Sequence, residues 1–211
     1  MVDFITISGE SVGYYEEKRS KFYATLRHTE TEEEAFKFIE EMRSKYWDAR
    51  HNCYAICVDG GRLVRFSDDS EPHGTAGKPI LEVIEGNGLQ NVTCVVTRYF
   101  GGVLLGTGGL VKAYSTATKD AVEKAQLVEM IPCTMLSIPC EYQDHQKLLY
   151  LIAGQKGVVT DTEFCEKIIL SVKFRDCDLV EFLSKLTELF SARIEPVVTE
   201  NKLLPFEIEK I

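Results

Sequence analysis

What this sequence lacks narrows its class before any motif is read. No CxxC pair occurs among its seven cysteines, Cys53, Cys57, Cys94, Cys133, Cys140, Cys165 and Cys177. Their odd number and mostly apolar surroundings argue against a disulfide framework. Cys53 and Cys57 would stand about 13 Å apart on an extended strand, beyond disulfide reach. They read as small buried hydrophobes in a reducing compartment. The opening MVDFITISGE has no basic start followed by an apolar run, so no secretory signal is expected. No stretch approaches the roughly eighteen apolar residues of a membrane span. A cytoplasmic location without a membrane partner is the expectation. Low-complexity segments and short internal repeats are also missing, which excludes repeat architectures. The last absence is local: from Asn87 to Lys119 there is no Asp or Glu, in a chain that carries 33 of them.

What is present fits an ordinary globular protein. The 211 residues are 45% hydrophobic and 27% charged, enough for one large domain or two small ones. Net charge is −9, with 15 basic and 20 acidic residues before Ile131 and 9 and 13 after it. Neither half is a basic module. Contact with nucleic acid would therefore need a local patch, and no DNA specificity is expected.

Along the chain, Asp3 to Ser8 and Lys21 to Arg27 alternate as strands do. Thr31 and Glu34 form a capping box before a helix over 32–47, whose stripe is Ala35, Ile39, Met42 and Tyr46. Asn52 to Val58 and Arg62 to Ser67 read as a hairpin around Asp59-Gly60-Gly61. A short helix from Pro79 to about Glu85 and a strand from Asn91 to Phe100 follow. The helical pattern from Leu110 towards Ala125 carries a small-residue face of Leu110, Ala113, Ala117 and Ala121. Pro132 marks a change. Beyond it come a strand over 134–142, a helix over 144–155, strands over 158–164 and 168–174, a helix capped by Asp178, and a last strand over 193–198. That order, β-α-β-β-α-β, is ferredoxin-like. The expected fold class is α+β with two domains, 1–131 and 132–211.

The chain is organised around Arg98 to Tyr114, RYFGGVLLGTGGLVKAY, which holds five of the fifteen glycines. An apolar strand, a glycine loop and a helix amino end let a backbone approach an anion closely. The loop is no Walker motif, because no Gly-Lys-Ser/Thr follows, and its spacing is not the dinucleotide fingerprint. The candidate anion or nucleic-acid contacts are Gly101, Gly102, Gly106, Thr107, Gly108 and Gly109, flanked by Arg98 and Lys112. Arg50 and Lys78 would extend the patch. The alternative is that these glycines serve only a tight turn and close packing. A second polar cluster is His51, Asp68, Asp69, Glu71 and His73. Acid–base chemistry and loop structure both remain open for it, while its spacing matches no metal signature, so no metal and no cofactor are expected. A Cys53 nucleophile is disfavoured by its apolar strand. Tyr14, Tyr23, Tyr99 and Tyr114 read as exposed aromatics beside the basic residues.

Three blocks, ARHNCYAI (49–56), DDSEPHGTAGKPIL (68–81) and RYFGGVLLGTGGLVKAY (98–114), resemble the signature blocks of the IMPACT family in its bacterial YigZ branch. Ser70 stands where that family usually has glycine, and Leu104 where it often has lysine. The resemblance implies an N-terminal α/β domain similar to domain IV of elongation factor G and to GHMP small-molecule kinases. It implies a C-terminal domain similar to elongation factor G domains III and V. It further implies translation regulation in a stress response, with RNA, the ribosome or a translation-associated protein as partner, and a non-enzymatic binding role is the leading expectation. The rival is an enzyme, either a small-molecule phosphotransferase, although the kinases' Ser-Ser-Ala run is missing, or a hydrolase using the Asp68–His73 cluster.

Overall fold

A computed structural model describes residues 3–207, which form two five-stranded sheets and five helices. The chain divides into two compact units, Phe4–Glu129 and Met130–Pro205. Among the described residues, no helix is long and apolar enough to cross a membrane.

The N-terminal unit runs β1 (Phe4–Ser8), β2 (Glu10–Glu17), β3 (Ser20–His28), α1 (Glu32–Lys45), β4 (His51–Val58), β5 (Leu63–Ser67), α2 (Gly77–Gly86), β6 (Val92–Tyr99) and α3 (Gly106–Lys124). Its sheet has the order β2-β3-β6-β4-β5, and every neighbouring pair is antiparallel. The β-branched run of β6 is explained by its central place, because helices cover both faces. On one face Ile56, Val58 and Val95 meet α1 through Ala35, Phe38, Ile39 and Met42. On the other, Cys53, Ala55, Cys94 and Val96 meet α2 and α3 through Ile80, Ile84, Ala113, Tyr114 and Ala117. Thr31 caps α1 by accepting the Glu34 N–H at 3.2 Å, and Asp59-Gly60-Gly61 turns the β4–β5 hairpin.

Sequence patterning missed β2, and the packing gives the reason. Its inward residues are Ser11 and Gly13, while Val12 and Tyr14 point outward. A Cβ on Gly13 would lie 2.3 Å from the Ala117 carbonyl oxygen, so β2 crosses the small-residue face of α3 nearly backbone to backbone. Small inward residues are the condition of that contact, and they erase the hydrophobic alternation. Tyr114 corrects a second expectation, because it is fully buried and not an exposed aromatic. Helix α3 also starts at Gly106, inside the glycine run, four residues before Leu110.

β7 (Gln126–Cys140) leads into the C-terminal unit, followed by α4 (His145–Gly154), β8 (Val158–Phe164), β9 (Ile168–Arg175), α5 (Asp176–Phe190) and β10 (Val197–Glu207). β9 lies between β7 and β8, both antiparallel to it, and β10 pairs with β7. This is the ferredoxin-like order. Leu136, Ile138, Leu170, Val172 and Phe174 of the sheet pack on Leu148, Ile152, Phe182, Leu186 and Phe190 of the helices. Asp178 does not cap α5: the helix begins at Asp176, and Asp178 sits in its first turn, where a carboxylate still suits the helix dipole. The last strand begins at Val197, not Arg193, because residues 191 and 192 turn the chain out of α5 at positive φ.

Candidate functional site

Strand pairing assembles the site. The β4–β6 register sets His51 opposite Arg98, and the β3–β6 register sets Phe22 opposite Arg98. Arg98 is only 5% exposed. Its Nη1 donates to Glu71 Oε1 at 2.5 Å, and the Tyr114 hydroxyl donates to the same oxygen at 2.9 Å. His51 Nε2 lies 3.9 Å from that oxygen. His51 Nδ1 is 2.7 Å from the Asp69 carbonyl, which only accepts, so Nδ1 carries a proton. The guanidinium sits 5.5 Å from the ring centroids of both Phe22 and Phe100. Arg98 Nε is buried and has no hydrogen-bond partner among the described residues. Burial drives the Tyr114 phenol far above its ordinary range, so it serves as a donor.

These contacts correct the sequence expectation for Arg98. It is no free phosphate cation, because Glu71 compensates its charge inside the protein. The acidic cluster is corrected as well. Asp68 accepts the N–H groups of Gly74, Ala76 and Gly77 at 2.8, 3.0 and 2.9 Å, closing the amino end of α2. Burial pushes its carboxyl upward, but the three N–H bonds prevail and hold it below the usual range. Asp69 accepts the Asn52 N–H at 2.6 Å. The His73 side chain is wholly exposed and lies 3.8 Å from Asp68. So His51 and Glu71 converge, Asp69 meets His51 through its carbonyl, and the Asp68 and Asp69 carboxylates are turned to backbone N–H groups. Among the described residues, no group of three His, Cys, Asp or Glu side chains is set to hold a metal. Ser70 stands at φ 68°, a conformation that favours glycine, which accounts for the glycine common at this place in the family it resembles.

The glycine loop splits into two kinds of position. Gly101 is structural: an added Cβ would fall 2.1 Å from the Arg19 backbone, and its N–H bonds Ser20 Oγ at 3.1 Å. Gly102 and Gly106 take positive φ, at 85° and 72°. Gly108 faces open space, and α3 begins without a side-chain cap and without an acidic residue in its first turn. A cavity of about 450 Å³ opens here. Arg50, His51, Glu71 and Arg98 form its polar side, Pro72, Phe100, Leu104, Leu105 and Leu110 its apolar side, and Gly106 and Thr107 its helical edge. Gly109 and Lys112 line a second recess of about 140 Å³ with Glu17 and Lys18, Leu105 being common to both. Lys78 belongs to neither lining. It lies in the first turn of α2, 3.8 Å from Glu82.

Three participants escaped the sequence reading of the site. Phe100 had no pattern to mark it, and Lys18 joins only because the β2–β3 turn packs on Gly101. Tyr114 was findable, since it falls one turn after Leu110 on the buried stripe. Cys53 lies 3.3 Å from the Tyr114 hydroxyl, and burial pushes its thiol far up, as befits a packed side chain and not a nucleophile.

Comparison with known proteins agrees with these blocks. The Impact N-terminal domain matches residues 18–122, and a Domain of unknown function (DUF1949) matches residues 138–193. The IMPACT family member YigZ of Escherichia coli (strain K12) is 36% identical over 187 residues, covering 87% of this chain and 92% of that protein. The protein IMPACT homolog of Dictyostelium discoideum is 31% identical over 132 residues, covering 61% of this chain and 37% of its own. A solved structure named "Crystal structure of an hypothetical protein" superposes with a TM-score of 0.62 at 33% identity, covering 95% of this chain and 98% of that one.

Proposed function

The chain belongs to the IMPACT family, and from that premise we propose that its N-terminal unit is a non-enzymatic, RNA-contacting module acting in translation. The observation that carries this reading is the amino end of α3. Its first turn is uncapped, and the cations around it, Lys18, Arg50 and Lys112, are exposed and make no ion pair among the described residues. Exposed N–H groups and the positive end of a helix dipole favour an anion, and unpaired lysines and arginines favour a chain of them. In a protein of net charge −9, such a patch is a local departure. The carboxylates of the cluster are already engaged, which weakens the enzymatic readings that would use them. Asp68 and Asp69 are engaged by backbone N–H groups and Glu71 by Arg98.

The test is binding of a labelled single-stranded RNA, free or taken from a ribosomal loop, as salt is raised. Three phosphate contacts predict log K falling with log salt at a slope of about −2, from roughly −0.7 per contact. Replacing Lys18 or Lys112 by Ala should each lower that slope by about 0.7. A salt-independent interaction, or none, would remove the RNA reading and leave protein contact as the alternative.

A further inference from the structure

The cavity beside α3 holds a floor unlike its rim. Arg98 and Glu71 cancel each other's charge at 2.5 Å, so the floor repels neither sign strongly and does not call for a phosphate. It sets instead a donor, Arg98, beside an acceptor, Glu71, and both residues line the cavity. Among the described residues Arg98 Nε is buried without a partner, a condition that costs free energy and that an acceptor reaching it would relieve. Glu71 accepts only, and His51 Nε2, whose partner nitrogen Nδ1 is committed as a donor to the Asp69 carbonyl, lies 3.9 Å from it. The walls are Pro72, Phe100, Leu105 and Leu110, with Phe100 presenting a ring that is 42% exposed. At about 450 Å³ the space falls in the range of small-ligand pockets.

A flat, neutral heterocycle with an acceptor next to donors fits this set. Among the bases, guanine carries a carbonyl oxygen beside two N–H donor groups on one edge, matching an arginine nitrogen beside a carboxylate. Uracil has one such donor, and adenine has no carbonyl. Unpaired bases of RNA are commonly read in this way, splayed onto an aromatic side chain while cations hold the backbone. We infer that the cavity is a pocket for an unpaired guanine base of a single-stranded RNA whose phosphates run along Lys18, Arg50, Lys112 and the start of α3. The inference rests on the RNA reading above and deepens it. Arg98, Glu71 and His51 read the base edge, and Phe100 packs on its face.

The test uses the full chain and uridine oligomers that differ at one central position, carrying guanine, inosine, adenine or uracil. Guanine should bind about tenfold or more tightly than uracil, the discrimination of one good paired contact. Inosine, which lacks the exocyclic amine, should fall between. Phe100→Ala, on a half-exposed ring, should shrink the guanine-to-uracil ratio, while Lys112→Ala should lower every affinity and leave the ratio. Oligomers that bind equally, with their salt slope intact, overturn the pocket and leave the RNA reading standing. Guanosine monophosphate bound by a protein that ignores RNA of every composition overturns the strand as the source of the base. No RNA and no guanosine monophosphate bound overturns both.

Discussion

Helices α2 and α3 pack on the same face of one sheet, and each begins where a glycine-containing loop ends, yet their amino ends are treated in opposite ways. At α2 the Asp68 carboxylate already occupies the place of an anion, taking the N–H groups of Ala76 and Gly77 and that of Gly74 nearby. At α3 the N-cap is Leu105, no side chain among the described residues closes the turn, and Gly108 faces open space. The cations differ in the same sense. Lys78 beside the start of α2 is within reach of Glu82, whereas Lys18 and Lys112 near α3 make no ion pair among the described residues, although Glu17 lines the same recess. The same physical device, N–H groups aimed outward at a helix start, is therefore spent on folding at α2 and left open at α3.

The comparison can be broken most severely at the pair between the two ends. Glu71→Ala leaves Arg98 buried without its counter-charge and should lower stability by about 3–5 kcal/mol in urea unfolding. Asp68→Ala should cost about 2 kcal/mol, since it strips three N–H groups of their acceptor at the start of α2. The sign with pH follows from the depressed folded pKa of Asp68. Its stabilisation is present above the unfolded value of about 3.9 and is lost as pH falls through the lower folded value, a loss the Ala variant should not show. Gly108→Ala should leave stability unchanged or raise it by up to about 1 kcal/mol, because the position is helical and open. The smallest effect on folding is expected for Lys112→Ala, within about 0.5 kcal/mol, although RNA affinity should fall.

Much of the fold could be read along the chain wherever a local rule decides it. Thr31 and Glu34 announced α1, Asp59-Gly60-Gly61 announced a hairpin, and the small residues of α3 announced close packing. β2 was hidden because its inward positions, Ser11 and Gly13, are small to let α3 approach. The site was less legible. Glu71 and Arg98 stand 27 residues apart, and nothing local joins them. Only the β4–β6 register and the turn at Asp69 and Ser70 bring them together. The acid-free run drew notice to α3, but it could not show that Arg98 inside that run is neutralised from outside it.

The direct test is amide chemical shift during titration with single-stranded RNA. The account predicts that the N–H groups of Gly106, Thr107, Gly108 and Gly109 move with saturation, while those of Gly74, Ala76 and Gly77, held by Asp68, stay still. RNA bound with Gly106 to Gly109 unmoved, or with the Asp68 loop moving in their place, would contradict it.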